Sequence, residues 1–467
     1  MFVIRKAFKK GSSKKSPMDS QLLARQFAVW GKELSLNDVP KVVNRCARRA
    51  VLDTIGVIAA GSVHAKVRLL AECVALAKGN CSTATQHQTD AIAAATINGM
   101  AGHVWDYDDT SYTGITHSSV ITLSATLAVA QEINASDEDA LLAFIIGSEI
   151  SYVLGDICSH NHFMQGWWAT GSCALIGAVA SVCRLYDMDE EQTANAIGTA
   201  AVTAGIQRAI SGTDAKPYLC GNVAAQAINL ARVAKAGLTG PQDAFEQKNG
   251  FFALLNNGHS LFSQVESLGD RWRLETPGLL FKTSPVCSAA HAMIEITAKL
   301  LEESDKTADD IVSVEAEVPT LVHASLVFIY PENAQQAQFS LPYCFACAAE
   351  HGRVRLKDLQ LAEIQSDRKR ALMERVTIRV AEDLSSSPMR EKYPESTRLT
   401  ILFAGGKTTS GFCGEAFGMP NRPLTDKDLI KKFNDCLTFA GCSLKTPDLC
   451  TFEIIKMADH AFRLTAQ

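Results

Sequence analysis

The sequence lacks the marks of three common protein classes: nucleic-acid binders, membrane spans and disulfide-stapled scaffolds. Lys and Arg number 45 against 50 Asp and Glu, a formal net charge of −5, so no basic excess offers a footprint for nucleic acid. No stretch is read as reaching the roughly 18–20 apolar residues that a membrane span needs; segments 141–147 and 173–183 read as core helices. Internal repeats and low-complexity linkers are absent. No frame of paired cysteines is evident either, because the 14 cysteines are scattered and many sit inside apolar runs. The one CxxC, Cys344-Phe-Ala-Cys347, has no second pair to complete a zinc site. Reduced, mostly buried thiols in an intracellular protein are the expected reading.

What is present is material for a large core. Hydrophobic residues make up 47% of the 467, beyond the length at which a single core stops growing, so two domains are expected. Residues 1–20 hold six Lys or Arg and no acid before Asp19, the pattern of a mitochondrial presequence or of a basic tail. Cytoplasmic and mitochondrial locations both stay open. From 21 to 268 apolar residues recur at helical spacing, over 43–60, 91–104, 121–133, 139–154, 171–185, 190–205 and 222–236. After Gly269 the texture changes. Segments 311–318 and 376–380 alternate, and 398–403 leads through Gly405-Gly406 into 408–412, a hairpin signature. The fold expected is mostly α: a large all-helical domain over 21–268, completed by 413–467, with a smaller α+β lid over 269–412.

Into the apolar first half the stretch NGMAGHVWDYDDTSYTGITHSS (98–119) places Asp106, Asp108, Asp109, His103 and His117. Buried carboxylates are costly unless paired, so the cluster reads as a catalytic floor; the bland alternative is a loop of solvated aspartates bonded to their own backbone. Asp106-Tyr-Asp-Asp-Thr110 has the DxDxT spacing of aspartyl-phosphate phosphatases, but the residues before it are helical, not a hydrophobic strand. The carboxylates also stand too close together to suggest a metal site. In SGTDAKPYLCGN (211–222), Lys216 is followed by Pro217, which excludes a Walker A loop. A lysine before proline, placed between two helices, has a restricted backbone and points into a cleft or lies on the surface. His291 opens one apolar helix and Tyr343 another; alone, each reads as a satisfied or core residue.

Together these stretches resemble the MmgE/PrpD family of 2-methylcitrate dehydratases, cis-aconitate decarboxylases and iminodisuccinate epimerases. NGMAGHVWDYDDT…THSS is similar to the family's NGxAxHxxDFDDT…HPS, and GTDAKPYLCGNVAAQ to GTxxKxLHxGxAAQ. FKTSPVCSAAHAMIE is similar to FKxYPCCxxxHPxID, and FSLPYC to KFSLPYC. The resemblance runs from about residue 21 to 440. It implies a cleft between helical domain and lid, a homodimer, a small carboxylic acid as substrate, and neither metal nor other cofactor. It places Asp106, Thr110, His117, Lys216, His291 and Tyr343 on the family's active-site positions. There are departures. Trp168 stands where the family has a histidine, Ser111 and Leu219 replace two more, Gln338 replaces a lysine, and Ser118 follows His117 in place of proline.

The shared chemistry of such substrates is a proton handled on carbon beside a carboxylate, with cations for the charge that develops. His117 is the expected proton carrier, and Lys216 the carboxylate or enolate partner. His291 and Tyr343 are expected to serve from the lid. Asp106, Thr110 and Trp168 are expected to line or bind, with the Trp168 indole narrowing the pocket. A metal-independent lyase, dehydratase or decarboxylase, ranks first. An epimerase and a catalytically silent relative are the alternatives.

Overall fold

Small residues in the first half let long helices pack closely, and that close packing builds the site. The computed structural model describes residues 22–445 and 447–463, so the basic segment 1–20 lies outside the described residues. The helical part contains Lys41–Gly61, Ala91–His103, Ser118–Ile133, Asp137–Met164, Ala169–Leu185, Glu190–Thr203 and Ala215–Lys235. Three of these starts carry a side-chain cap: Asp90 accepts from Ile92 N and Ala93 N, Ser136 from Asp139 N, and Asp189 from Gln192 N. Ser118–Ile133 is apolar on every side and is buried over 118–130, as an all-round apolar helix must be.

Two expectations need correction here. Asp137–Cys158 is long and apolar enough to cross a membrane by length and composition, although the sequence reading found no such stretch. It is a core helix, with 94% of its most apolar window buried inside the protein. Lys216 does not sit in a loop between helices. It lies in the first turn of Ala215–Lys235, where Pro217 costs no intrahelical bond because the first N–H groups have no helical partner. A short antiparallel pair, β1 (Cys81–Ser82) and β2 (Gln88–Thr89), also interrupts the helical region unannounced by any alternation.

The lid holds a four-stranded sheet of β3 (Ile311–Val318), β4 (Val376–Val380), β5 (Thr397–Phe403) and β6 (Thr408–Cys413), in the order β4-β3-β5-β6. Only the β3–β4 pairing is parallel. β5 alternates strictly between buried and half-buried residues, and helix His291–Ser304 packs on β5 and β6. Gly405 and Gly406, both at positive φ, close the β5–β6 hairpin.

Three long-range contacts aim these parts at the 103–117 segment. Helix Asp426–Phe439 packs on Lys41–Gly61, and its Lys432 Nζ reaches Asp53 Oδ1 at 2.8 Å and donates to the Tyr107 carbonyl at 2.8 Å. From the start of the lid, Leu280 exchanges backbone hydrogen bonds with Thr110 at 2.8 and 3.0 Å. Helices Ala91–His103 and Ala215–Lys235 touch backbone to backbone: a Cβ on Gly99 would lie 2.6 Å from Gly221 Cα, and one on Gly221 would lie 1.9 Å from Thr96 O. That approach brings Lys216 against His103 and Asp106. Gly221→Ala is therefore expected to cost about 1–3 kcal/mol of stability through overpacking, and to lower activity by more than the lost folded fraction accounts for. Chemical denaturation alongside specific activity checks this; an unchanged midpoint would show that the helices separate freely.

Candidate active site

The turn after Ala91–His103 is where the local sequence forces unusual backbone. Asp106 has φ 46°, and the β-branched Ile115 has φ 60°, in the left-handed region that such residues rarely enter. Strain of this kind persists only where surroundings over-determine it, and here both residues line the same cavity of about 650 Å³.

Asp106 is held by two ammonium groups. Lys216 Nζ lies 2.6 Å from Oδ1, and Lys282 Nζ lies 2.9 Å from Oδ2 and 2.7 Å from the Asp106 carbonyl. Burial opposes ionisation of Asp106, but Lys216 and Lys282 outweigh it and hold the carboxyl well below the usual carboxylate range. Burial likewise disfavours charge on Lys282, and Asp106 and Asp108 more than offset this, holding it above its ordinary range.

Lys216 Nζ also lies 2.7 Å from His103 Nε2. An ammonium can only donate, so Nε2 accepts and the His103 proton sits on Nδ1, which donates to Asp108 at 2.9 Å. Burial, opposed by Asp108 and reinforced by Lys216, lowers His103 to about 4, so it is neutral near pH 7. For Asp108 burial is outweighed by the imidazoles of His103 and His117, which hold the carboxyl well below its usual range.

The second imidazole is oriented the same way. His117 Nδ1 lies 2.9 Å from the Asp109 carbonyl and 3.3 Å from both Asp108 Oδ2 and Thr110 Oγ1. Its backbone N–H donates to Thr170 Oγ1 at 3.0 Å. Carbonyl and carboxylate both demand a donor, so Nδ1 carries the proton and the Nε2 lone pair is left for a cavity that His117 lines. Asp109 itself is pushed well above the carboxylate range by burial and by Asp53.

Five of the side chains singled out from the sequence thus meet: Asp106, Thr110, His117, Lys216 and Trp168. Trp168 precedes helix Ala169–Leu185, lines the cavity, and has its ring centroid 5.9 Å from Lys216 Nζ and 6.0 Å from that of His103. Thr110, His291 and Tyr343 are not among the cavity-lining residues, and Thr110 meets the site through His117. His291 lies behind the site, its Nδ1 3.4 Å from Thr283 Oγ1 and its Nε2 buried without a hydrogen bond; burial and Lys282 lower it to about 3. Tyr343 donates its hydroxyl to the Asp358 carbonyl, and burial pushes the phenol well above its ordinary range.

The lid instead presents Glu395, Ser288 and Cys287 to the cavity. Glu395 accepts from Ser288 Oγ at 2.7 Å and Tyr112 OH at 2.9 Å, yet burial raises it above the usual range. Burial pushes the Cys287 thiol up to about 12, so it is no nucleophile at neutral pH. Sequence reading passed over Lys282 and Glu395 as site residues. Lys282 was within reach, because a lysine inside the apolar run LLFK needs a buried counter-charge; nothing local marks Glu395.

His103, Asp108 and His117 offer three ligand atoms within 4.8 Å of one another. In this arrangement both Nδ1 atoms donate to oxygen and Lys216 Nζ occupies His103 Nε2, so of the two imidazoles His117 Nε2 is the ring nitrogen left open.

The buried histidines carry a stability consequence. His103 and His291 have folded values near 4 and 3 against an ordinary 6.5, so the unfolded chain binds protons first on acidification. Their contribution is present above about pH 6.5 and is lost as pH falls toward 4 and 3. Glu149, raised by burial to about 7, acts oppositely, its contribution being lost as pH rises through 7. Asp109 and Glu395, also raised by burial, act in the same direction as Glu149, so the histidine contribution is read by difference: the urea midpoint of His291→Gln should fall less between pH 7 and 4.5 than that of the wild type. An equal fall in both proteins would show that this imidazole is solvated.

Comparisons with known proteins match the chain over most of its length. The family model for the MmgE/PrpD N-terminal domain matches residues 25–263, and that for the MmgE/PrpD C-terminal domain matches 284–443. A human protein named cis-aconitate decarboxylase is 24% identical over 426 residues, covering 88% of this chain and 87% of its own length. The mouse protein of that name is 23% identical over 427 residues, covering 88% and 86%.

Proposed function

For a chain that belongs to the MmgE/PrpD family, we propose the function of a lyase that moves a proton on carbon beside a carboxylate of a small di- or tricarboxylic acid, with decarboxylation ahead of dehydration. The observation that carries this is the pairing of an oriented imidazole with a buried cation. His117 has its Nδ1 proton anchored, and Lys216 stands beside Asp106 in the same cavity. The human and mouse relatives named for cis-aconitate decarboxylation support placing decarboxylation first.

In the proposed reaction the substrate carboxylate binds against Lys216. Loss of CO2 leaves an electron pair on carbon, which delocalises into a neighbouring carboxylate and draws stabilisation from the same ammonium. His117, having taken up a proton at Nε2 from solvent, then delivers it to carbon and returns to its neutral form, while Asp108 and the Asp109 carbonyl hold the ring in position. For dehydration the order reverses: His117 removes the proton, and hydroxide leaves with a proton supplied from the lid. Glu395 suits that role by position, whereas the His291 and Tyr343 side chains face other partners.

Proton NMR in D2O with cis-aconitate, citrate, methylcitrate and aminated succinates tests the proposal. New vinyl signals support a lyase. Exchange at carbon without net product would replace it with epimerisation, and silence across the panel would indicate a binding protein. Trp168→His should raise activity on cis-aconitate or methylcitrate, because it opens the wall beside Lys216 and adds an imidazole. An unchanged or lower rate on both would show that the indole does not limit substrate size.

A further inference from the structure

We propose that Arg208 is a specificity-determining residue that binds a second carboxylate of the substrate, away from the His117–Lys216 centre. This rests on reading the cavity as an acid-binding site, and it adds which residue selects for a polycarboxylate.

Arg208 lines the cavity, and its guanidinium lies over the Phe163 ring at 3.9 Å from the centroid. Its Nη1 is buried with no hydrogen-bond partner, and among the described residues Arg208 has no ion pair. Arg208 as a whole is half-buried, and the buried cations all have carboxylates within reach: Lys216 and Lys282 share Asp106, Lys432 has Asp53, and Arg273 has Asp156. A guanidinium with an unsatisfied N–H is costly to keep out of water, so an occupant supplying a carboxylate accounts for it better than packing does. Its planar fork matches a carboxylate bidentately, and stacking on Phe163 leaves the edge of the fork free to donate.

The position is also held in advance. Arg208 N donates to the Gly166 carbonyl at 2.8 Å, and Trp168 N donates to the Ile206 carbonyl at 2.7 Å. This short ladder fastens the Arg208 segment to the residues leading into Trp168, whose ring stands beside Lys216. Lys216 and Arg208 thus line one cavity from two segments, with Trp168 laddered to the Arg208 segment and its ring beside Lys216. A substrate with carboxylates at both ends is the chemistry this arrangement fits, and the cation absent at position 168 is supplied from position 208.

Isothermal titration of the full chain with tricarballylate, a saturated tricarboxylate, tests the assignment. Arg208→Gln should weaken binding by about 10–100-fold, the loss typical of a hydrogen bond to a charged group. Arg208→Lys, which keeps the charge without the fork, should recover part of the affinity; a purely structural role would not produce that order. Should Arg208→Gln lower the melting temperature, Arg208→Lys decides, because weaker binding at a wild-type melting temperature supports the role. Binding within twofold of wild type in folded Arg208→Gln or Arg208→Lys overturns the assignment while leaving the acid site standing. Failure of the wild type to bind tricarballylate or any acid of the NMR panel overturns both.

Discussion

Replacing His117 with alanine should lower turnover on the physiological acid by about 10²–10⁴-fold with the fold intact, the range that general acid–base groups contribute. The proton-carrying role needs a fixed tautomer, and the Asp109 carbonyl with Asp108 supplies it. Little else depends on the ring. His117 precedes helix Ser118–Ile133 without capping it by its side chain, and Asp108 keeps both hydrogen bonds to His103 after the substitution. The measurement is kcat and KM beside a melting curve. A twofold loss would place proton transfer on another group, and Glu395 would be the first to try.

Lys216→Ala should be comparably damaging to kcat, and Lys216→Arg should not rescue it. Lys216 Nζ fits between His103 Nε2 at 2.7 Å and Asp106 Oδ1 at 2.6 Å, a slot for a point-like ammonium rather than a planar fork. Removing it leaves Asp106 with Lys282 alone, and relieves His103 of a neighbour that lowers its affinity for protons. A proton on His103 should then appear at higher pH, visible as a shift of its ring resonances. Near-normal kcat in the alanine variant, with that resonance unmoved, would remove Lys216 from the centre.

Much of this architecture was legible in one dimension because its cause is local. Helical periodicity and the Gly405-Gly406 turn act within a few residues, and the elements they announce are present. Burial of three successive-turn carboxylates without charge to match them was legible too, as a demand for partners. Where an expectation failed, the cause was an environment set by distant residues. Segment 137–158 is interrupted by acids along the sequence, yet its apolar surface is enclosed by neighbouring helices. Lys216 read as a loop residue because proline follows it, while the first helical turn accepts proline without loss.

The sequence by itself determined the helical domain, the alternating lid and the motif residues that must find partners, since side-chain period and backbone preference are properties of neighbours in the chain. Tertiary structure alone decided which of those residues face one another. The Gly99–Gly221 approach sets Lys216 on His103 and Asp106, and the Thr110–Leu280 pairing brings Lys282 to the same carboxylate. Packing of the lid turns Glu395 toward the cavity and leaves His291 and Tyr343 outside its lining. The physical reason is that a buried charge is stable only where distant segments supply its counter-charge and hydrogen bonds, and no local pattern encodes where those segments meet.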